Sequence, residues 1–422
     1  MGCSIIPKVS LLLVAGAVLI ACSGETQAPG GTATSTATEI APTPTPIEVP
    51  AAFRPLYDEL QTRLEAAQAE FSDRAASGRT PSLVLELLTA NGNRGEELLR
   101  PDTLDLTRLF LDRFKELGAA GVAVQIVYPL LGKDFPSSDE YLNFYRNVAG
   151  EVRKRGLTLI IATGAPFSGT EFSTLRVDYS GKTPQSYLQE RLQQATVIAH
   201  ELRPDYLCLS EEQSTERMLT GLDITTEDYL DFLRSAPATI DPPSGVKLGA
   251  GSGSWERPDL VQRLIHETSL DFIDIHVYPL SSGPTDYLQV TADWASAAGA
   301  AGKEAVIGEA WLYKASAREL RAGVGFQELF GRDVYSFWQP LDVQFMQTAV
   351  ELGRAAGVRY VSFFWSRYLF GYVDYDDVPP GTTGPALQQA ANLASWTAFS
   401  RGELSATGDE FKRLASATPE QP

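Results

Sequence analysis

Val306-Ile-Gly-Glu-Ala-Trp-Leu-Tyr313 is an apolar run that ends on one carboxylate and then on aromatic side chains. Such a run predicts a short buried strand with Glu309 at the point where the strand stops. A second stretch, Tyr206-Leu-Cys-Leu-Ser-Glu-Glu212, has the same design and ends on Glu211 and Glu212. If both strands belong to one parallel barrel, their carboxyl ends lie on one face and the acidic side chains meet there.

Apolar runs of this kind recur along the chain and alternate with helical patterns. Such alternation is typical of a parallel sheet covered on both faces, and we predict a (β/α)8 TIM barrel over residues 81–415. A doubly wound open sheet is the alternative, but no glycine-rich phosphate loop follows the first strand. The predicted strands are Leu83–Leu88, Val122–Tyr128, Leu157–Thr163, Tyr206–Ser210, Val246–Ala250, Phe272–Tyr278, Ala305–Glu309 and Tyr360–Trp365. The predicted helices between them are Leu106–Leu117, Ser138–Arg155, Pro184–Leu202, Asp259–Thr268, Tyr287–Gly299 and Val343–Gly353.

The first part of the chain predicts export and anchoring. Residues 1–21 have a lysine followed by a short apolar run, as a secretory signal peptide has. The run ends in Leu19-Ile20-Ala21-Cys22, which resembles the bacterial lipoprotein signal and implies a lipid on Cys22. Residues 22–51 are rich in Gly, Ala, Thr, Pro and Ser and predict a disordered linker. Residues 52–80 have leucines at helical spacing and predict an N-terminal helix before the barrel.

The overall charge and the cysteine count exclude several classes of function. A net charge of −18 argues against a nucleic-acid partner, since the 53 acidic side chains outnumber the 35 basic ones that could neutralise phosphates. Cys208 would be the only cysteine left after lipidation, so no internal disulfide is expected. The three histidines, His200, His266 and His276, are too scattered to predict zinc. We therefore expect no metal and no cofactor, and the sequence leaves the oligomeric state open.

Four short motifs resemble those of the large clan of retaining β-glycosidases with (β/α)8 barrels, which includes endo-galactanases, mannanases and cellulases. They follow the fourth, sixth, seventh and eighth predicted strands in the order that this clan uses. The motifs are Ser210-Glu211-Glu212, Asp274-Ile-His276-Val-Tyr278-Pro279, Glu309, and Phe363-Phe364-Trp365-Ser366. The resemblance implies a glycoside hydrolase that cleaves a β-linked polysaccharide or oligosaccharide by double displacement.

The resemblance also implies a role for each motif residue. Glu309 would be the nucleophile and Glu212 the acid/base, with their carboxyl groups about 5 Å apart. Tyr278 would hydrogen-bond Glu309 and keep it oriented. His276, Trp311 and Trp365 are expected to line the sugar site, and Trp365–Ser366 is expected to be a cis peptide. Further polar or aromatic contacts are expected from Glu86, Asn91, Trp255, Tyr313, Tyr368, Phe370 and Tyr372.

Two positions depart from the pattern of the clan. Glu211 stands where relatives have an asparagine that contacts the sugar 2-hydroxyl, and Gln125 stands where they often have an arginine. Gaining a carboxylate and losing a cation should raise carboxyl pKa values in the site. Either the substrate makes different hydroxyl contacts, or Glu211 is the acid/base and Glu212 supports it.

Other functions remain open on the sequence alone. The departures at Glu211 and Gln125 favour, as the alternative, a non-catalytic carbohydrate-binding surface lipoprotein. A metal-assisted barrel enzyme is a third possibility, which the absence of clustered histidines disfavours. In each case the expected location is extracytoplasmic, at the cell surface or in the periplasm, with the membrane as an anchor through Cys22.

Overall fold

The computed structural model describes residues 48–75, 78–170 and 172–417. The predicted signal peptide, most of the linker and Cys22 lie outside these residues. Eight parallel strands close into a barrel in chain order, with the eighth strand paired to the first, which confirms the predicted TIM barrel. The barrel strands are Ser82–Glu86, Gly121–Gln125, Thr158–Ala162, Tyr206–Cys208, Lys247–Gly253, Phe272–Val277, Glu304–Ala310 and Tyr360–Phe363.

The strands alternate between two hydrophobic cores. Leu83 and Leu85 belong to the large core between the sheet and its helices, while Val84 belongs to a smaller core inside the barrel. This alternation follows from the period of two in a strand. The inner core consists of Val84, Ala123, Ile160, Ala162, Tyr206, Cys208, Phe272, Val306 and Tyr360. Cys208 is a fully buried free thiol there, as its apolar strand predicts.

The helices surround the sheet, and the six predicted ones are present. Pro184–Val197 continues through a π-helical turn, Ile198–Leu202. The remaining helices are Arg54–Arg74, Thr103–Glu116, Ser138–Lys154, Gln213–Thr220, Thr226–Ile240, Pro258–Glu267, Tyr287–Ala300, Ala317–Arg321, Phe326–Arg332, Gln339–Ala356, Gly384–Arg401 and Ala406–Ser416. Short helical turns cover Leu88–Ala90, Gly92–Leu99, Ser336–Trp338 and Ser366–Leu369, and Ser281–Ser282 pairs with Thr285–Asp286 in a small hairpin. Within the described residues, we find no helix with the length and apolar character needed to cross a bilayer.

The chain joins the barrel earlier than its composition indicates. Val49 falls in the predicted linker but is buried in the large core. The helix Arg54–Arg74 then packs along Gln339–Ala356 on the outside of the barrel. Phe53, just before this helix, lies against Phe337, with ring centroids 5.3 Å apart, so the connection is fixed to the barrel wall.

Gly308 lets two strands approach closely below the site. A Cβ atom at this position would lie 2.2 Å from Asp274 Oδ1, which leaves no room for any other residue. Instead, the Gly308 backbone N–H donates a hydrogen bond of 2.8 Å to that oxygen. The glycine before Glu309 therefore fixes the seventh strand against the sixth.

Candidate active site

The acidic side chains of the fourth and seventh strands meet in one cleft at the carboxyl ends of the barrel strands. The cleft has a volume of about 1650 Å³, and Glu211, Glu212 and Glu309 all line it. Glu309 and His276 are neighbours in register on the seventh and sixth strands. Because strand order places all these residues on one face, the arrangement follows directly from the parallel barrel.

Glu309 is held by two donors on opposite sides. Gln125 Nε2 donates to its Oε1 at 2.7 Å, and the Tyr278 hydroxyl donates to its Oε2. Glu309 as a residue is only 8% exposed. Burial raises the pKa of Glu309 to about 7, although the nearby His276 partly offsets this rise. The predicted contact between Tyr278 and Glu309 is thus present in the structure.

His276 lies between the two candidate catalytic carboxyls. Its Nδ1 is 2.8 Å from Glu212 Oε1 and 3.6 Å from Glu309 Oε2. Glu212 Oε1 and Glu309 Oε2 both lie close to this one nitrogen. The distance between the two oxygens therefore cannot exceed the sum of these two values. Glu212 also accepts a 2.6 Å hydrogen bond from the Thr215 hydroxyl. Burial opposes the charged imidazolium, but Glu309 and Glu212 outweigh it and hold the pKa of His276 well above its usual value.

Glu211 lies beside Glu309 and shares its amide donor. Gln125 Nε2 is 3.3 Å from Glu211 Oε2, so one amide group bridges the two carboxyls. The nearest polar atoms of Glu211, His276 and Glu309 all lie within 4.8 Å of one another. Burial, together with the charge of Glu309, raises the pKa of Glu211 well above its usual range. Both departures predicted from the sequence, Glu211 and Gln125, therefore lie at the centre of the site.

Two further buried acids lie under the cleft, and the sequence indicated only one of them. Glu86 is 1% exposed and accepts a 3.3 Å hydrogen bond from Asn91 Nδ2. Asp274, which sequence reasoning missed as a contributor to the site, is 2% exposed, and its Oδ2 is 3.9 Å from His276 Nε2. Burial raises the pKa of both carboxyls. Spacing alone could have indicated Asp274, since residues 274 and 276 point to the same side of a strand.

Aromatic rings form the walls of the cleft around Tyr278. Tyr313 lies against the Tyr278 ring at 4.9 Å, with Trp255 at 5.9 Å and Phe364 at 6.1 Å. Trp365 also lines the cleft, and the Arg367 guanidinium covers its ring at 4.6 Å. Apolar ring faces with a few converging polar groups are typical of sites for small organic ligands.

Trp311 does not lie where the sequence predicted. Its side chain is 1% exposed, is absent from the cleft lining and stacks on Tyr368 at 5.6 Å. The Trp311 backbone N–H donates to the Val277 carbonyl at 3.0 Å, so the chain still runs beside the sixth strand here, and the ring packs into the large hydrophobic core. Phe370 is buried as well, and the Tyr372 hydroxyl donates to a buried aspartate rather than facing the cleft.

The expected cis peptide between Trp365 and Ser366 is also wrong. Among the described residues, the cis peptide bond is Tyr128–Pro129, and Trp365–Ser366 is trans. Ser366 begins a short helical turn in which its hydroxyl donates to the Glu86 carbonyl at 3.0 Å. That turn orients Trp365 without the cis bond.

A buried charged cluster lies below Trp311. Lys314 is fully buried and forms ion pairs with Asp342 and, at 3.4 Å, with Asp333. Its Nζ is 5.4 Å from the centre of the Trp311 ring. Burial raises the pKa of Asp333 to about 7. The cluster supports the segment after the seventh strand from within the protein.

A second buried ion pair fixes the segment that follows Glu212. Arg191 pairs with Glu216 and also donates to the carbonyl of Thr163 at 2.8 Å and to that of Leu209. Tyr229 donates to Glu216 at 2.6 Å. Because Glu216 is on the short helix Gln213–Thr220, these bonds hold the start of that helix, and Glu212 with it. Sequence reasoning missed this support.

Two groups of side chains in the described residues have the spacing of metal ligands. They are Glu211, His276 and Glu309, and Cys208, Glu211 and Asp274. The scattered histidines predict no metal, but carboxylates that surround a single histidine can also be ligands. The first group includes the candidate nucleophile itself, so a cation bound there would occupy the position of a substrate.

Comparison with known proteins identifies the fold. No protein-family model matches the sequence, and no curated protein is recognisably similar to it. Among solved structures, the exo-β-1,4-mannosidase Op5Man5 from Opitutaceae bacterium strain TAV5 aligns with a TM-score of 0.53 and 14% identity. The alignment covers 81% of this chain and 60% of the mannosidase, so this chain spans less than two thirds of that protein. The β-glycosidase BGL167 aligns with 13% identity, a TM-score of 0.46, and coverage of 82% of this chain and 98% of that one. A β-glycosidase from Pyrococcus horikoshii aligns with 11% identity, a TM-score of 0.49, and coverage of 82% and 95%. At these identities, the mannosidase alignment defines a shared (β/α)8 barrel fold.

Proposed function

We propose that the protein is a retaining glycoside hydrolase that acts on a β-linked polysaccharide or oligosaccharide. One observation carries the proposal: Glu309 from the seventh strand and Glu212 from the end of the fourth meet at His276 across the mouth of the barrel. Retaining hydrolysis needs two carboxyl groups about 5 Å apart, whereas inverting enzymes separate them by about 6.5–9.5 Å. Contact of both carboxyls with one imidazole nitrogen supports the closer spacing.

In the proposed mechanism, Glu309 attacks the anomeric carbon. Gln125 and Tyr278 hold its two oxygens, so the attacking carboxylate has a fixed orientation. Glu212 protonates the leaving oxygen. Its Oε1 lies 2.8 Å from His276 Nδ1, so the imidazole helps to hold this carboxyl in place through both halves of the reaction. In the second half, Glu212 removes a proton from the water that releases the sugar from Glu309.

A panel of aryl β-glycosides tests these roles. Glu309→Gln should release no product from any aryl glycoside that the unaltered protein cleaves. Glu212→Gln should lose about 10²–10⁴-fold with poor leaving groups, because they need a proton. The same variant should keep most of its rate of glycosyl transfer to Glu309 with 2,4-dinitrophenyl glycosides, which leave without protonation. If Glu211→Gln shows this pattern instead, Glu211 is the acid.

Binding measurements distinguish the alternative function. A non-catalytic carbohydrate-binding lipoprotein would bind oligosaccharides in a calorimeter and release no product from any of them. The charge-matched control for both experiments is Glu65→Gln, because Glu65 is exposed on the N-terminal helix. A defect in this control would point to general damage rather than to the cleft.

We also propose an extracytoplasmic location with a lipid on Cys22. Support comes from the sequence of residues 1–22, which precede the described part of the chain. Incorporation of labelled palmitate into the expressed protein, and its loss in Cys22→Ala, would test this. Equal membrane recovery of both forms would contradict it.

A further inference from the structure

Two segments from opposite sides of the barrel touch at the cleft. Phe172 follows the third strand, and Phe330 lies on the helix Phe326–Arg332 after the seventh. In this closed ring of eight strands, the third and the seventh lie opposite each other. The two side chains nevertheless form a T-shaped pair with ring centroids 5.3 Å apart, and both line the cleft. The pair therefore spans the mouth of the barrel, and we call it the aromatic bridge.

Asn93, which follows the first strand, fixes the Phe172 end of the aromatic bridge. Its side-chain oxygen accepts a hydrogen bond of 2.8 Å from the Phe167 backbone N–H. Its carbonyl accepts from the Thr174 backbone N–H at 2.9 Å and from the Ser173 hydroxyl at 3.1 Å. Both Asn93 and Ser173 are buried, so water competes little for these bonds. Phe172 is thus held by contacts on both sides of it along the chain.

The Phe330 end of the aromatic bridge lies against Trp365, which is expected to line the sugar site. The Phe330 ring centroid is 5.5 Å from that of Trp365 and 5.9 Å from that of Tyr313. Gln388, on the helix that follows the eighth strand, donates a hydrogen bond to the Phe330 carbonyl. The bridge therefore begins beside the sugar site, at the seventh and eighth strands, and ends at the third.

The aromatic bridge restricts how a sugar chain can reach the carboxyls. An unbroken chain can be cut in its middle only if it can lie across the mouth of the barrel with both ends outside. The bridge crosses that mouth, and Glu309 and Trp365 beside it are buried, so a chain must enter by its end. In retaining hydrolysis the unit bound to the nucleophile is on the non-reducing side of the cut. Glu309 is at the bridged seventh strand and Glu212 follows the fourth, so the enclosed side takes the non-reducing end.

We propose that the protein cleaves β-linked chains from their non-reducing ends, because the aromatic bridge blocks the path of an unbroken chain through the cleft. This inference rests on the proposed function and states which bonds the same site can reach. The substrates are therefore oligosaccharides and the ends of longer chains, rather than the internal bonds of a polysaccharide. Phe172 determines this specificity by its place on the path of the chain.

Matched pairs of β-1,4-linked hexasaccharides of mannose, glucose and galactose, labelled at the reducing end, test the inference. One member of each pair is free, and the other carries a benzylidene cap on its non-reducing terminal unit. The native protein should shorten the free form from that end and cleave the capped form at least about tenfold more slowly. Phe172→Ala should reduce this difference, because it opens the aromatic bridge. The control Phe135→Ala removes a partly buried ring that follows the second strand outside the cleft lining, and it should keep the difference.

The outcomes separate this inference from the proposed function. An early mixture of internal fragments, or equal rates on free and capped forms, would overturn the inference while hydrolysis itself stands. Calorimetry on Glu309→Gln, which leaves each hexasaccharide whole, should show the free form binding at least about tenfold tighter than the capped form. That preference without any product from the native protein would refute hydrolysis and keep the enclosed cleft, whereas equal binding would overturn the inference. If Phe172→Ala does not fold, the comparison of free and capped forms on the native protein decides alone.

Discussion

Glu309→Gln should make the folded protein more stable above neutral pH while it removes activity. The residue is 8% exposed, and burial raises the pKa of its carboxyl group from 4.5 to about 7. Glutamine keeps the shape and is never charged. Its carbonyl can accept from Gln125, and its NH2 can donate to the Tyr278 hydroxyl, which rotates to accept. The substitution therefore removes the cost of a buried charge and keeps two hydrogen bonds.

The sign of the effect depends on pH. Between pH 4.5 and 7 the unfolded chain loses this proton while the folded chain keeps it, so the free energy of unfolding falls as pH rises through that window. A pKa change of this size corresponds to on the order of 3 kcal/mol. We expect Glu309→Gln to gain up to about this amount at pH 8 and almost nothing at pH 4.

Urea unfolding followed by tryptophan fluorescence at pH 4, 6 and 8 measures the difference. The exposed Glu65→Gln serves as the matched control and should show no stabilisation that grows with pH. If Glu309→Gln is equally stable relative to the native protein at pH 4 and pH 8, burial does not disfavour the carboxylate. The electrostatic account of the site would then be refuted.

Three further substitutions test other parts of the structure. Tyr278→Phe removes a hydrogen-bond donor that lowers the pKa of Glu309, so the acid limb of the pH–rate profile should move up by about 1–2 pH units. The control Tyr145→Phe removes a buried hydroxyl without a partner and should leave the acid limb where it is. Gly308→Ala should cost about 1–3 kcal/mol in urea unfolding, whereas Gly299→Ala, whose Cβ would meet nothing within 4 Å, should be neutral or stabilising. Lys314→Met leaves two buried aspartates without their cation, so the free energy of unfolding at pH 8 should fall by about 3–5 kcal/mol. The decrease should be smaller at pH 5, where the two aspartates can take up protons.

The barrel could be predicted because its strands are apolar on both faces. Each of the eight strands is found at the predicted place, since burial against helices outside and side chains inside requires an unbroken apolar run. The helix Thr226–Ile240 was missed, although Thr225 and Asp228 form a capping box at its start that the sequence shows.

The site was partly predictable for a related reason. Glu212 and Tyr278 follow strands and Glu309 lies near the end of one, so strand order alone brings them together. Trp311 also follows a strand, but its orientation depends on how the next segment packs on Lys314, which no local pattern encodes. The ion pair between Arg191 and Glu216 is equally hidden, because the two residues lie on separate helices with the fourth strand between them.

The path by which the chain reaches the barrel has a geometric consequence. Phe53 packs against Tyr335 and Phe337, which follow the seventh strand, and against Tyr375, which follows the eighth. Segments after parallel barrel strands lie at the end where the cleft opens. Phe53 therefore lies at the cleft end of the barrel, so an attachment made ahead of this point would join the molecule on the side where substrate enters.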